Sequence, residues 1–266
     1  MELLCPICGS TLQQIEKTCR CAEGHCFDIA RQGYVNLLPV QQKHSLNPGD
    51  TREQVLSRRS FLEAEFYRPI AQALCDAATE LGITGPILDV GCGEGYYSNL
   101  VAQALGAPLT GLDISKEAVR CAAAKYKNAQ WICGSAAKLP VVSDSVGLLM
   151  SLFALTVPEE FHRVLRQDGV FFQVLAQEDH LLGLKSIIYP TLTHKEKNTA
   201  PQLAGFCLEK QIPIRFTFTV EGAQVQNLLS MTPHVYRISK EGAQRLAQTD
   251  RLTDTASAVL NIYRPV

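Results

Sequence analysis

Five cysteines and a histidine crowd the first 26 residues: Cys5 and Cys8 in "CPIC", then Cys19, Cys21, His25 and Cys26 in "CRCAEGHC". Thiolates and a neutral imidazole are the ligands of tetrahedral zinc, and the C-x2-C turn lets two sulfurs converge on one ion. Cys19 and Cys21 stand two apart. In an extended segment their side chains lie about 7 Å apart, whereas sulfurs that share a zinc lie under about 5 Å apart, so these two do not ligate together. Cys21 with His25 gives C-x2-C-x12-C-x3-H, and Cys21 with Cys26 fits almost as well. The competing reading makes them separate thiols in a small core with His25 at the surface. A segment this short cannot fold on apolar burial alone. Metal binding then supplies much of its folding energy, and chelation is expected to unfold residues 1 to about 30 while the rest stays folded. No strand-then-helix pattern of the thioredoxin kind surrounds the C-x-x-C pair, which argues against redox chemistry.

A second constellation lies in "GPILDVGCGEGYYSNLVAQAL", where an apolar strand at Ile87 to Val90 turns through Gly91, Gly93 and Gly95 into an amphipathic helix. Next, "APLTGLDISKEAVRCAAAKY" gives a strand ending at Asp113 and a helix capped by Ser115, with Glu117 in its first turn. A carboxylate at the tip of the second strand can accept hydrogen bonds from both hydroxyls of a ribose. A dinucleotide site would prefer G-x-G-x-x-G facing a pyrophosphate, but here Asp89 precedes the turn and Glu94 sits inside it. Carboxylates repel phosphates and suit a ribose, an amine and a sulfonium, which describes S-adenosylmethionine. The candidate cofactor residues are Asp89, Gly91, Gly93, Glu94, Gly95 and Tyr96 of the turn, Asp113 and Ile114 at the second strand, and Ser135 and Ala136 after a third.

These residues need a sheet to hold them. A strand at Gln130 to Cys133, one at Val146 to Leu152, a helix over Glu159 to Arg166 and a strand at Gly169 to Leu175 continue the βα alternation. Strands that return after helices make a parallel sheet with right-handed crossovers, whose ligands sit beyond the strand C-terminal ends. Near the end, "IRFTFTV" and "ASAVLNIYR" alternate in period two and read as a strand pair finishing the sheet. The fold class is α/β, a Rossmann-like sheet with a small N-terminal zinc module. We divide the chain into a zinc module at 1–34, a helical linker region at 35–75 and a sheet domain at 76–266, with an insertion on the ligand side of the sheet at about 177–212.

Composition agrees. In 266 residues, 46% hydrophobic and 19% charged side chains describe a folded chain, and a net charge of −1 argues neither for nor against nucleic acid. The start "MELLCPICGS" lacks a signal-peptide pattern, and the apolar run Val146 to Val157 falls short of the ~20 residues of a membrane span. We expect a reducing cytosol, and neither a membrane nor DNA as partner.

Taken together, "CPICGS", "GHCFDIARQGYVNLLPVQ", "NPGD", "ILDVGCGEGYY", "LDISK", "HLLGLKSIIY" and "MTP" resemble, over roughly the whole chain, the bacterial large-subunit ribosomal RNA guanine-N1 methyltransferases, the RlmA or RrmA family. The resemblance implies that Cys5, Cys8, Cys21 and His25 hold zinc, with Cys19 and Cys26 as spectators. It further implies that residues 76–266 are a class I S-adenosylmethionine-dependent methyltransferase domain, methylation of N1 of a guanine in a hairpin of 23S ribosomal RNA, a cytoplasmic location, and a homodimer whose zinc modules help form the RNA groove. One position departs from the family. Its aromatic-Ala-Pro after the fourth strand is Phe153-Ala154-Leu155 here, in the loop that shapes the target-base pocket in this fold class.

Guanine N1 carries a proton that must leave as the new bond forms. No residue is assigned as its acceptor; Asp28 and His180 are named only because they sit in family-like segments. Arg31, Tyr34, Lys43, His44, Arg52, Arg58 and Arg59 suit phosphate and stacking contacts, as do Lys185 and Tyr189 of the insertion, although a solvated helix face would look the same. Two other functions stay open: methylation of a small molecule, and a zinc-bearing RNA-binding or assembly protein with a cofactor pocket but no transfer.

Overall fold

In a computed structural model of the chain, residues 1–39, 48–192 and 196–266 are described; Lys43 and His44 lie outside them. Four short strands, β1 (Leu3–Leu4), β2 (Thr11–Ile15), β3 (Thr18–Arg20) and β4 (Cys26–Asp28), form an antiparallel ribbon in that order. After β5 (Tyr34–Asn36) come α1 (Arg52–Glu63) and α2 (Arg68–Glu80). The alternating part runs β6 (Ile87–Val90), α3 (Tyr96–Leu105), β7 (Leu109–Asp113), α4 (Lys116–Lys125), β8 (Gln130–Cys133), β9 (Val146–Leu152), α5 (Pro158–Val164) and β10 (Leu165–Ala176). It continues through α6 (Leu182–Ile188), β11 (Phe206–Glu221), α7 (Ala223–Ser230), a 3-10 turn at Pro233–Tyr236, α8 (Lys240–Ala247) and β12 (Arg251–Pro265).

The large sheet has the order β11-β12-β10-β9-β6-β7-β8-β5, parallel from β10 to β5, with β12 antiparallel to both β10 and β11. The closing strand pair expected from the alternating sequence is therefore present. Central strands are largely apolar because both faces are covered; all seven residues of β9 are buried. Local signals start the helices. Thr51 and Gln54 form a reciprocal capping box on α1, and the Ser115 hydroxyl accepts from Ala118 N–H at the start of α4.

The two faces of the sheet are covered differently. Ile87, Leu148, Met150, Phe172 and Leu260 point into one core with most of the helices, while Leu88, Val90, Leu149 and Phe171 point into another. In the second core they meet Phe161 and Val164 of α5 and Leu3, Cys5, Leu12, Cys19 and Cys21 of the ribbon. The β8 to β9 connection carries no helix, so the ribbon fills the place of one. Leu4 N–H donates to Pro140 carbonyl, and Leu3 bridges Val141.

Several boundaries move. The expected edge of the zinc module at residue 34 falls inside β5, which pairs in parallel with β8 and so belongs to the large sheet. The helix expected to reach Arg166 ends at Val164, where β10 begins. The insertion after β10 shrinks to residues 177–205, and a second one, 222–250, carries α7, the 3-10 turn and α8 between the closing strands.

Candidate functional site

Cys5, Cys8, Cys21 and His25 bring their ligand atoms within 4.8 Å of one another. Cys8 Sγ lies 3.7 Å from Cys21 Sγ, and His25 Nδ1 lies 3.6 Å from Cys5 Sγ and 3.4 Å from Cys21 Sγ. A tetrahedral zinc with sulfur at about 2.3 Å and nitrogen at about 2.0 Å separates sulfurs by about 3.8 Å and sulfur from nitrogen by about 3.5 Å. The donor set fits zinc, with all four positions filled by protein. Two tight turns make it: Gly9 N–H donates to Cys5 carbonyl and Gly24 N–H to Cys21 carbonyl, each glycine left-handed. Hydrogen bonds from Ser10, ahead of those from His25 and Cys5, lower the Cys8 thiol to about 6, toward the thiolate a metal needs. Cys19 is buried in the ribbon core and Cys26 is exposed beside Arg20.

Beyond the C-terminal ends of β6, β7 and β8 opens a cavity of about 1340 Å³. Gly91, Gly93 and Gly95 are all left-handed, and a Cβ on Gly91 would stand 2.6 Å from the Ala154 methyl. Asp113 holds this turn in shape: its Oδ2 accepts from Gly93 N–H at 2.9 Å and its Oδ1 from Ser115 N–H at 2.8 Å. Burial raises the Asp113 carboxyl, and these two bonds oppose the rise. Asp89 is 2% exposed. One oxygen accepts the Ser98 hydroxyl; the other, Oδ1, is buried with no partner. Burial, only partly offset by Ser98, pushes its carboxyl up to about 7. Glu94 is also buried and raised, with the Arg58 charge opposing.

These features fit S-adenosylmethionine: an orphaned buried carboxylate oxygen wants a cationic donor, and Asp113 retains lone pairs for a ribose. Asp89, Gly91, Gly93, Glu94, Asp113, Ile114, Ser135 and Ala136 all line the cavity. Two expected residues do not. Tyr96 is buried in the core and Tyr97 lines the cavity instead, because the helix turns the neighbouring side chain toward it. Gly95 is needed for packing, since a Cβ there would come within 2.5 Å of the Trp131 ring.

The same cavity continues to a second end. Phe153, left-handed at φ 54°, follows β9 and lies with its ring 6.1 Å from that of His180. Such a backbone is costly for an aromatic residue and concentrates at functional sites. His180 packs against the rings of both Tyr67 and Phe153. Its Nδ1 accepts from Ser257 N–H at 3.1 Å, which leaves the ring hydrogen on Nε2, 3.4 Å from the Tyr67 hydroxyl. Burial first, then Lys185 and Lys197, lower it to about 4. It is neutral near pH 7 with both nitrogens engaged, so it positions neighbours and cannot receive a substrate proton in this arrangement. Tyr189 bonds His234 at 2.8 Å, and Tyr236 donates to Gln54 Oε1 at 2.8 Å. His234 and Tyr236 come from the second insertion, whose one sequence signal was "MTP".

Other candidates scatter. Asp28 is exposed on β4 and is not among the residues that line the cavity. Arg31 and Arg52 are exposed, and Arg59 pairs with Glu63 and reaches Cys121 of α4. Tyr34, 5% exposed, is packed in the core and has no face free to stack on a base. Arg58 faces the cavity, not an open surface, while Lys185 and Tyr189 line its far end. Leu155 is 73% exposed at the cavity mouth, and its carbonyl still accepts from Ser151 Oγ at 3.3 Å, so the loop is held without a proline.

Comparison with known proteins agrees with both halves. The N-terminal zinc-ribbon model of RlmA matches residues 3–46, and a methyltransferase-domain model matches residues 87–169. A Micromonospora griseorubida protein provisionally assigned as a 23S rRNA (guanine-N(1)-)-methyltransferase is 32% identical across 100% of this chain and 98% of its own. The 23S rRNA (guanine(748)-N(1))-methyltransferase of Streptomyces fradiae is 31% identical across 99% of this chain and 97% of its own. A solved structure from Anaeromyxobacter dehalogenans, provisionally assigned as a type II methyltransferase, shares the fold at TM-score 0.50 and 18% identity, over 71% of this chain and 95% of that one. The chain belongs to the family of zinc-ribbon-bearing 23S rRNA guanine-N1 methyltransferases.

Proposed function

We propose that this chain methylates N1 of a guanine presented by a hairpin of large-subunit ribosomal RNA. The observation that carries the reading is the single cavity that runs from the Asp89 and Asp113 carboxylates to the Phe153, His180 and Tyr189 rings. S-adenosylmethionine, when bound, supplies a methyl group on a sulfonium, and the chain's task is to align an incoming nitrogen with it. Asp113 holds the ribose, and the unpaired Asp89 oxygen takes the ammonium.

At the other end Phe153, Leu155 and Tyr236 are exposed apolar side chains on the cavity lining. Isolated exposed apolar residues are ordinary, but three around one opening suit a base drawn out of its stack. Phe153 and His180 flank that base, and the N1 proton leaves to water at the open mouth. The reading includes a homodimer acting in the cytoplasm, which light scattering and cell fractionation test. No helix among the described residues is long and apolar enough to cross a membrane.

Purified protein given labelled S-adenosylmethionine should methylate ribosomal RNA from a strain lacking the gene, and should leave RNA from the parent strain unlabelled. Labelling of a small-molecule fraction with none in RNA would point to the small-substrate alternative.

A further inference from the structure

S-adenosylmethionine carries two cationic groups and one anion, its methionine carboxylate. The near end of the cavity offers Asp89, Glu94 and Asp113 to the cations, and Asp50 stands beside them. One cation, Arg58, shares that end: its charge interacts with those of Asp50, Glu94 and Asp113. The remaining cations of the lining, Lys185, Lys197 and Arg237, all act on His234. They stand on the segments after β10 and between β11 and β12.

Arg58 is placed by α1. Gln54, Arg58 and Leu62 repeat every four residues along one face of the helix and line the cavity, as does Asp50 just ahead of the helix. The start of this segment is fastened to the cofactor turn, because Ser115 Oγ donates to Asp50 carbonyl at 2.7 Å and Gly49 packs against Ser115 and Ile114. The guanidinium then lies over the glycine turn, with Nη1 3.7 Å from where a Gly93 Cβ would stand. Asp50 pairs with one edge of the fork. A guanidinium has five N–H donors, so capacity remains for a second carboxylate.

We propose that Arg58 is the cofactor-binding residue that receives the methionine carboxylate of S-adenosylmethionine, and that α1 is the strap which carries it over the pocket. The proposal rests on the cofactor and not on the identity of the RNA. It gives α1 a role the sequence did not suggest, as a wall of the cofactor site in place of an RNA-facing helix.

The test compares S-adenosylmethionine with its decarboxylated analogue by isothermal titration calorimetry on the full zinc-loaded chain. The native protein should prefer the carboxylated ligand by about tenfold to a hundredfold, the scale of a charge-assisted hydrogen bond to an arginine. Arg58→Gln should bind both ligands equally, Arg58→Lys should recover part of the preference, and Asp50→Asn, which frees the fork without removing it, should keep all of it. Equal preference in Arg58→Gln and the native chain would overturn the assignment. So would loss of preference in Asp50→Asn together with retention in Arg58→Lys, since the ion pair and not the arginine fork would then be the determinant. If Arg58→Gln fails to fold, the Lys and Asn variants decide alone. A native chain that binds S-adenosylmethionine without discriminating would refute Arg58 while leaving RNA methylation standing.

Discussion

Replacing Asp89 with asparagine should expose a proton hidden in the cofactor site. The buried carboxyl is pushed from 3.8 up to about 7. The folded chain therefore keeps a proton that the unfolded chain releases, and the stability this confers is full below the unfolded value and lost as pH rises through the folded one. Between pH 5 and 8 the loss is about 3 kcal/mol, because about two of the roughly three units that separate the two values lie above pH 5 and each is worth about 1.4 kcal/mol. His180 acts the other way: lowered from 6.5 to about 4, it contributes stability above its unfolded value that is lost as pH falls through its folded one. The two nearly cancel in the native protein from about pH 4 to 6.5, so the informative quantity is the native melting temperature minus that of Asp89→Asn. We expect this difference to fall by about 5–10 °C from pH 5 to pH 8. Because Asp113 and Glu94 also raise Asp89, part of the change reports the cluster as a whole. S-adenosylmethionine brings an ammonium to the unpaired oxygen and should drive off about half a proton at pH 7. Calorimetry in two buffers of different ionisation enthalpy reads that release directly, and Asp89→Asn should abolish it. A flat difference curve with a buffer-independent binding enthalpy in the native chain would refute the reasoning.

Chelating zinc should lower the melting temperature of the whole chain and raise hydrogen exchange in Leu139 to Val141 and in β6 as well as in the ribbon, because Leu88, Val90 and Val141 share a core with Leu3 and Cys21. Exchange confined to residues 1 to about 30 would contradict that shared core. Gly95→Ala puts a Cβ against Trp131 in a left-handed turn and should cost about 2–4 kcal/mol in denaturant unfolding; a cost below about 0.5 kcal/mol, within the range of neutral surface changes, would mean the turn is held otherwise. Phe153→Ala should leave cofactor affinity unchanged by calorimetry while reducing kcat/KM on RNA by about tenfold to a hundredfold, the scale of one lost stacking contact. An equal fall in both would place Phe153 at the wrong end of the cavity.

The cofactor turn was legible because its chemistry is local: strand, glycines, carboxylate and helix follow one another from Ile87 to Asp113, and their spacing specifies the contact. Spacing alone left His25 and Cys26 competing as the fourth zinc ligand; the left-handed turn at Gly24 aims His25 inward, while β4 leaves Cys26 exposed. What stayed hidden depends on packing between distant segments. Arg58 reads as one more charge on a helix until Asp50 is seen fastened to Ser115, 65 residues away. The His180 side chain looks like a surface group until Ser257 and Tyr67 enclose it. The ribbon resembled an independent appendage because a metal site suggests self-sufficiency; the missing helix between β8 and β9 was the available sign that something else must cover that face of the sheet.

The central claim is that one cavity joins a methyl donor to a guanine of ribosomal RNA. Primer extension on large-subunit RNA from a strain lacking the gene, before and after treatment with the protein and S-adenosylmethionine, tests it most directly, because a methyl on N1 blocks pairing and halts reverse transcriptase. The account predicts one new stop at a hairpin guanine, a nuclease fragment heavier by one methyl group, and neither with Asp113→Ala. No stop from a protein shown by calorimetry to bind the cofactor, or an undiminished stop with Asp113→Ala, would contradict it.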